Sequence, residues 1–283
     1  MKHQLIIDPS DCADLLGTPN LKLVDCRLSL ADTAWGHEEY LQNHIPGAVY
    51  AHMDQDLSGK IQPGVTGRHP LPNPTEFIQT LQNWGIHNDD HVIVYDQSHG
   101  GLAARLWWML RWMGHGKTSV LDGGWVEWVN FNLPVTADVP VIKASNFTGN
   151  PNAEMIADMH EIFARLNDPS YTVVDARAHT RYTGENEPID PVAGHIPGAV
   201  NMPFLSNIND DGRWKSPEEL KTKFASIISG SAQRTAVYCG SGVTACHDIL
   251  ALELAGFPGA HLYPGSWSEW ITSSENPVAI KAS

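Results

Sequence analysis

Cys239 is followed at once by Gly240, Ser241 and Gly242, and this short run is where the chain can do chemistry. Ahead of it, Thr235–Tyr238 is a β-prone run ending in an aromatic residue. Behind it, Cys246, Ile249, Leu250, Glu253 and Leu254 recur at helical spacing with one mainly apolar face, and Gly256 stands where that helix should end. The spacing predicts a strand, a tight loop and a helix N-terminus, with Cys239 at the strand end. Glycines let such a loop turn its backbone N–H groups inward. Those groups and the helix dipole favour an anion at the loop centre. A thiolate held there is expected to have a depressed pKa and to be nucleophilic. The rival reading is an inert core cysteine; a loop this rich in Gly and Ser argues against it.

The elements that must position this loop come in duplicate. Leu23-Val24-Asp25-Cys26-Arg27 answers to Val173-Val174-Asp175-Ala176-Arg177, and His44-Ile45-Pro46-Gly47-Ala48-Val49 to His195-Ile196-Pro197-Gly198-Ala199-Val200. Val92-Ile93-Val94-Tyr95-Asp96 answers to Thr235-Ala236-Val237-Tyr238-Cys239. Leu121-Asp122-Gly123-Gly124-Trp125-Val126-Glu127-Trp128 answers to Tyr263-Pro264-Gly265-Ser266-Trp267-Ser268-Glu269-Trp270. Four blocks in one order at so long a period mean duplicated domains, not a solenoid. The polar stretch 132–152 marks the boundary, giving domains 1–140 and 141–283. In the first half, Leu21–Asp25 and His91–Tyr95 read as buried strands, and 76–84 and 102–113 as helices. Such alternation means an α/β fold with a mostly parallel sheet flanked by helices. Reactive loops of such sheets lie at the carboxyl ends of strands, which is the position of Cys239.

The repeat is also an internal control. Asp25/Arg27 and Asp175/Arg177 occur in both halves and read as structural ion pairs. His44 and His195 recur in Pro-Gly turns and read as fold residues, and the paired tryptophans read as core. By contrast, Cys239 aligns with Asp96, and Arg181 with Ala31 at the local spacing of the repeat. The second half alone therefore owns the thiol and an extra cation, and the first reads as a scaffold without a working site.

Composition limits the partners. The 283 residues are 42% hydrophobic and 18% charged, as in a folded globular chain. A formal net charge of -14 argues against nucleic-acid or anionic-membrane partners. The most hydrophobic stretch, 102–113, is interrupted by Arg105 and Arg111, so no membrane span is expected. Met1-Lys2-His3-Gln4 leads into a polar segment rather than a signal peptide. The four cysteines, Cys12, Cys26, Cys239 and Cys246, have neither zinc-site spacing nor the density of a disulfide framework, which suits a reducing cytoplasm. No metal or cofactor is implied, since the Gly-rich stretches lack a nucleotide-loop pattern.

The paired domains, the Val-Asp-Ala-Arg and Gly-His-Ile-Pro-Gly-Ala strings, the Asp-Gly-Gly-Trp closing block and the loop 239–245 together resemble the tandem-domain rhodaneses over nearly the whole chain. The resemblance implies an inactive first domain and a second whose cysteine takes a sulfane sulfur, becomes a persulfide and passes it to a thiophilic acceptor. Small-molecule donor and thiol acceptor, cyanide or thioredoxin would be the partners. The loop, Cys-Gly-Ser-Gly-Val-Thr-Ala, is similar to the 3-mercaptopyruvate branch; thiosulfate enzymes of the family usually carry basic residues after the cysteine. Gly240, Ser241, Gly242, Val243 and Thr244 would then bind the donor beside Arg181. The family's second donor-binding arginine should fall nine residues after Arg181, where Asp190 stands; facing the site, Asp190 would repel a carboxylate. The resemblance also implies a catalytic Ser241, His69 and Asp54, the last two reaching across from the first domain. Their role would be proton transfer as the C–S bond breaks.

Other classes fit less well. A tyrosine phosphatase needs an arginine six residues after its cysteine to clamp phosphate, and that position is Ala245. A thioredoxin-type oxidoreductase needs Cys-x-x-Cys, which Cys239 and Cys246 do not form. Thiosulfate:cyanide sulfur transfer is the nearer alternative. A non-catalytic sulfur-binding or regulatory module is the alternative of another class; a pH titration with an iodoacetamide probe separates it from an enzyme.

Overall fold

The computed structural model describes residues 4–29, 32–228 and 232–280. Ala31 and the first three residues therefore lie outside the described residues. The chain forms two compact units. The first comprises residues 1–59, 72–152 and 210–214; the second comprises 60–71, 153–209 and 215–283. Each unit thus takes in a short segment from the other half of the sequence.

In the first unit the strands are β1 (Ile6–Ile7), β2 (Leu21–Asp25), β3 (Ala48–Tyr50), β4 (His91–Tyr95) and β5 (Thr118–Leu121). They form one parallel sheet in the order β1-β5-β4-β2-β3. The helices are α1 (Pro9–Asp14), α2 (Trp35–Gln42), α3 (Pro74–Asn83), α4 (Ala103–Trp112) and α5 (Gly124–Asn130). The expected strands are found as read. The helix expected over 76–84 starts earlier because Asn73 caps it, accepting the Thr75 N–H at 2.9 Å, with Pro74 in the first turn.

The second unit repeats the plan. Its helices are α6 (Met159–Ala164), α7 (His179–Tyr182), α8 (Pro217–Phe224), α9 (Ala245–Leu254) and α10 (Ser266–Trp270). Its strands, β6 (Thr172–Asp175), β7 (Val200–Asn201), β8 (Thr235–Tyr238) and β9 (His261–Leu262), are parallel in the order β7-β6-β8-β9. A single parallel bridge, Ile156 to Leu262, stands where the first unit has β1. Gly256 ends α9 with φ of 82°, a left-handed turn that glycine makes freely. The amphipathic reading of α9 is corrected: Ala245 through Leu252 are all buried, His247 and Asp248 included, so the helix runs through the core rather than along its surface.

The duplicated ion pairs are buried latches. Arg27 Nε donates to both Asp25 oxygens (3.1 and 2.9 Å), and Arg177 Nε to both of Asp175 (3.0 and 3.1 Å). Each guanidinium also reaches a loop carbonyl, Asn43 or Gly194 (2.6 and 2.7 Å), and stacks on Trp125 or Trp267. His44 and His195 are buried, each with Nδ1 at 2.7 Å from a backbone carbonyl, of Tyr40 and Tyr182. Trp128, Trp267 and Trp270 are core; Trp125 is half-buried. Among the described residues no helix is long and apolar enough to cross a membrane.

Candidate active site

β8 ends at Tyr238 and delivers Cys239, 2% exposed, into a loop that turns into α9 at Ala245. Gly240, Ser241, Gly242 and Val243 are buried with it, and Thr244 is half-buried. Gly242 has φ of 76°, and a Cβ there would collide with the Pro264 carbonyl, so the turn requires glycine. Cys246 lies beneath: its buried Sγ is 3.4 Å from the Gly242 carbonyl, inside the first turn of α9.

Residues 67–69 join the loop, because segment 60–71 folds with the second unit. His69 Nδ1 lies 2.8 Å from Ser241 Oγ, the donor set by the tautomer. The backbone N–H of Arg68 donates to Ser268 Oγ at 3.0 Å, while Ser268 N–H donates to the Gly240 carbonyl at 2.9 Å. A Cβ on Gly67 would strike the Gly265 carbonyl, so glycine permits this close approach. Asp54 belongs to the first unit, exposed, in the turn after β3, with its N–H donating to His52 Nδ1 at 3.2 Å.

Two guanidinium groups converge on Gly240. A Cβ there would lie 2.9 Å from Arg68 Nη2 and 3.3 Å from Arg181 Nη1. Asp190 ion-pairs with Arg68 through one carboxylate oxygen and with Arg181 through the other, the latter at 2.9 Å. Glu187 grips Arg181 Nε with both oxygens (3.0 and 2.9 Å) and also meets Arg177 Nη1 at 3.3 Å. Both carboxylates are almost fully buried, whereas Arg68 and Arg181 keep partial exposure. Burial pushes Glu187 up, but the hydrogen bond from Arg181 and the backbone N–H groups of Asp190 and Ile189 outweigh it and leave its pKa lowered. Burial dominates at Asp190 and raises its carboxyl despite the pull of Arg68 and Arg181.

This geometry corrects two sequence expectations. Asp190 is not a bare repulsive charge; it braces two cations. A second guanidinium does stand beside the loop, that of Arg68, whose adjacency to His69 is its only signal in the sequence. The pairing of Arg181 with Ala31 is corrected as well. His37 stacks on Tyr40 and Tyr40 on His44, as His179 does on Tyr182 and Tyr182 on His195. That matches Tyr40 to Tyr182, hence Glu39 to Arg181. Between tyrosine and histidine the second unit is nine residues longer, since Tyr182 and His195 lie 13 apart and Tyr40 and His44 lie 4 apart. The insertion carries Glu187 and Asp190.

The second unit is thus a parallel α/β unit with a buried cysteine at the carboxyl end of a central strand and two carboxylate-braced guanidinium groups beside its loop. Comparison with known proteins agrees. The Rhodanese-like domain profile matches residues 8–131 and 158–273. A probable 3-mercaptopyruvate sulfurtransferase of Pseudomonas aeruginosa is 44% identical over 99% of both chains. The thiosulfate sulfurtransferase of Rattus norvegicus is 35% identical over 89% of this chain and 86% of its own. The solved 3-mercaptopyruvate sulfurtransferase from Leishmania major has a TM-score of 0.85 at 31% identity, covering 97% of this chain and 76% of that one. The chain belongs to the rhodanese family, with two rhodanese-like domains, and is a sulfurtransferase.

Proposed function

We propose that the chain transfers a sulfane sulfur from 3-mercaptopyruvate through a persulfide on Cys239 to a thiophilic acceptor, cyanide, a small thiol or thioredoxin. The carrying observation is the convergence of Arg68 and Arg181 on Gly240, beside a loop with no basic side chain of its own. Two planar forks at that spot suit the donor's carboxylate and carbonyl. Because Asp190 and Glu187 formally balance both cations, the pocket suits a monoanion better than the thiosulfate dianion.

In the first step the Cys239 thiolate attacks the donor sulfur. The S–S bond forms, the C–S bond breaks, and the carbon leaves as the enolate of pyruvate. The Ser241 hydroxyl, 2.8 Å from His69 Nδ1, is placed to hand that enolate a proton and recover one through the imidazole. Asp54 is the third member of this relay by family resemblance. Backbone N–H groups of residues 240–244 hold the persulfide anion. In the second step the acceptor attacks the outer sulfur and Cys239 returns as thiolate. The first domain, within 1–140, is the non-catalytic one, with Asp96 at the cysteine position; the second, within 141–283, carries the chemistry. The name of the Pseudomonas aeruginosa relative supports the donor; the loop's thiol supports an enzyme over a passive sulfur-binding module.

Steady-state kinetics with 3-mercaptopyruvate and thiosulfate side by side tests the donor. The expected result is a higher kcat/KM for mercaptopyruvate. Arg181→Ala should cut it about 10- to 100-fold, one charge-assisted hydrogen bond of roughly 1.5–3 kcal/mol, with Arg181→Lys recovering part. Arg68→Ala should cost a similar factor. A wild-type preference for thiosulfate sinks this reading.

A further inference from the structure

The closing block grips the strand end with three consecutive residues. Trp267 N–H donates to the Cys239 carbonyl (3.0 Å) and Ser268 N–H to the Gly240 carbonyl (2.9 Å). The first unit has the same two bonds: Trp125 N–H to the Asp96 carbonyl (2.8 Å) and Val126 N–H to that of Gln97 (3.1 Å). The residue before them differs. The second unit has Ser266 where the first has Gly124.

Both residues are left-handed, with φ of 54° at Ser266 and 57° at Gly124. Glycine adopts that backbone without steric cost, whereas a side-chain-bearing residue is strained there. Gly124 therefore shows that the turn itself does not call for a serine. What the serine adds is a hydroxyl. It is fully buried, accepts the Cys239 N–H at 3.1 Å and donates to the Tyr263 carbonyl at 2.8 Å. Strain of this kind persists where the surroundings over-determine it, and it gathers at functional sites. At this position of the repeat it occurs in the unit that carries the thiol and not in the other, where glycine stands.

We propose that Ser266 is a positioning residue for Cys239. Its hydroxyl fixes the third backbone group at the strand end, so that the residue bearing the thiol is held at N–H, at its own carbonyl and at the next. The chain accepts a strained backbone in return for a thiol that stays aimed at the donor. The proposal rests on Cys239 being the sulfur carrier.

Ser266→Gly in the full-length chain separates strain from hydroxyl. The melting temperature should hold or rise, as strain is released. Alkylation of Cys239 by iodoacetamide, followed on its own peptide by mass spectrometry, should slow about tenfold, and kcat should fall by a similar factor. KM for mercaptopyruvate should stay near wild type, because Arg68 and Arg181 are untouched. Ser266→Ala, which keeps the strain without the hydroxyl, should lower both kcat and melting temperature. Two results in Ser266→Gly overturn the proposal: wild-type alkylation and kcat, or a fall of kcat together with melting temperature in that same variant, which marks a merely structural serine. Cys239→Ser run in parallel tells the two levels apart: sulfur transfer surviving that change removes the sulfur-carrier reading itself.

Discussion

In the first unit the loop after β4 closes around a carboxylate. Asp96 Oδ1 accepts the N–H groups of Ser98 (3.1 Å) and Gly100 (2.9 Å), and Oδ2 those of Leu102 (2.7 Å) and Ala103 (3.1 Å). In the second unit the equivalent loop surrounds Cys239. One architecture thus carries two different residues at the same strand end: a carboxylate bound by four backbone N–H groups in the first unit, a buried thiol in the second. The first loop is satisfied internally and offers nothing to a ligand. The second holds a thiol in place of that carboxylate, and under the proposed function the same turn would receive a sulfur anion. The difference teaches that the first half is not simply a copy lacking a cysteine; the place of the thiol is taken by a carboxylate that its own loop binds.

The sharpest way to break this contrast is at the thiol. Cys239→Ser should reduce sulfur transfer to background, while Cys246→Ala, beneath the loop, should keep it in a folded protein; circular dichroism and initial rates decide. Almost as large is the effect of cutting the chain. A fragment beginning at Ala153 lacks residues 60–71, and with them Arg68 and His69, so it should fold poorly or retain little activity. Wild-type kinetics from that fragment would dissolve the assignment of these residues to the site.

Asp96→Ala probes the filled loop. Four N–H groups lose their acceptor, and stability should drop by roughly 3 kcal/mol, read by denaturant unfolding, since unmade hydrogen bonds cost about 1–3 kcal/mol each and water recovers part. A neutral result would mean that the carboxylate does not hold the loop.

The smallest effect concerns the helices behind the loops. The second has Asp248 where the first has apolar Leu106. Burial pushes the Asp248 carboxyl up to about 7, against the pull of Lys223 and the hydrogen bond from Asn207. Its native pKa exceeds the unfolded value of about 3.9, so the folded state binds the extra proton between these limits. That contribution is complete below about pH 4 and is lost as pH rises to 7. His247 lies in the same buried cluster, as does the Lys223 amine, whose pKa burial lowers. Asp248→Asn should therefore narrow the wild-type gap in melting temperature between pH 5 and pH 7.5 by a few degrees. An unchanged gap assigns the titration elsewhere.

Much of this was readable before any coordinates. β-branched runs bounded by turn residues mark β2, β4 and β8, because buried parallel strands need little more than apolar continuity. The repeat marks the latches Asp25/Arg27 and Asp175/Arg177 as architecture, since both halves need the same strand-to-loop anchor. The Gly-Ser-Gly run after Cys239 marks the loop. What escaped is whatever depends on long-range placement. Arg68 lies 172 residues from Gly240 and no local periodicity ties them. A fixed spacing pairs Arg181 with Ala31 because it cannot see the nine-residue insertion between Tyr182 and His195. Asp190 reads as repulsive in one dimension and as a brace in three, since the sign of its effect depends on which cations lie beside it.

The exchange of segments also reaches into biosynthesis. The first unit is completed by residues 210–214, where Arg213 pairs with Asp8 (2.5 Å) and Asp122 (3.0 Å). A ribosome that has just finished residue 152 must add about 60 more before that arginine exists, roughly 3 to 12 seconds at ordinary elongation rates. During that interval the nascent first unit waits without its last strap, and residues 60–71 wait for a partner not yet made. The two halves repeat one sequence pattern, but neither unit is complete until a segment from the other half of the chain has been made.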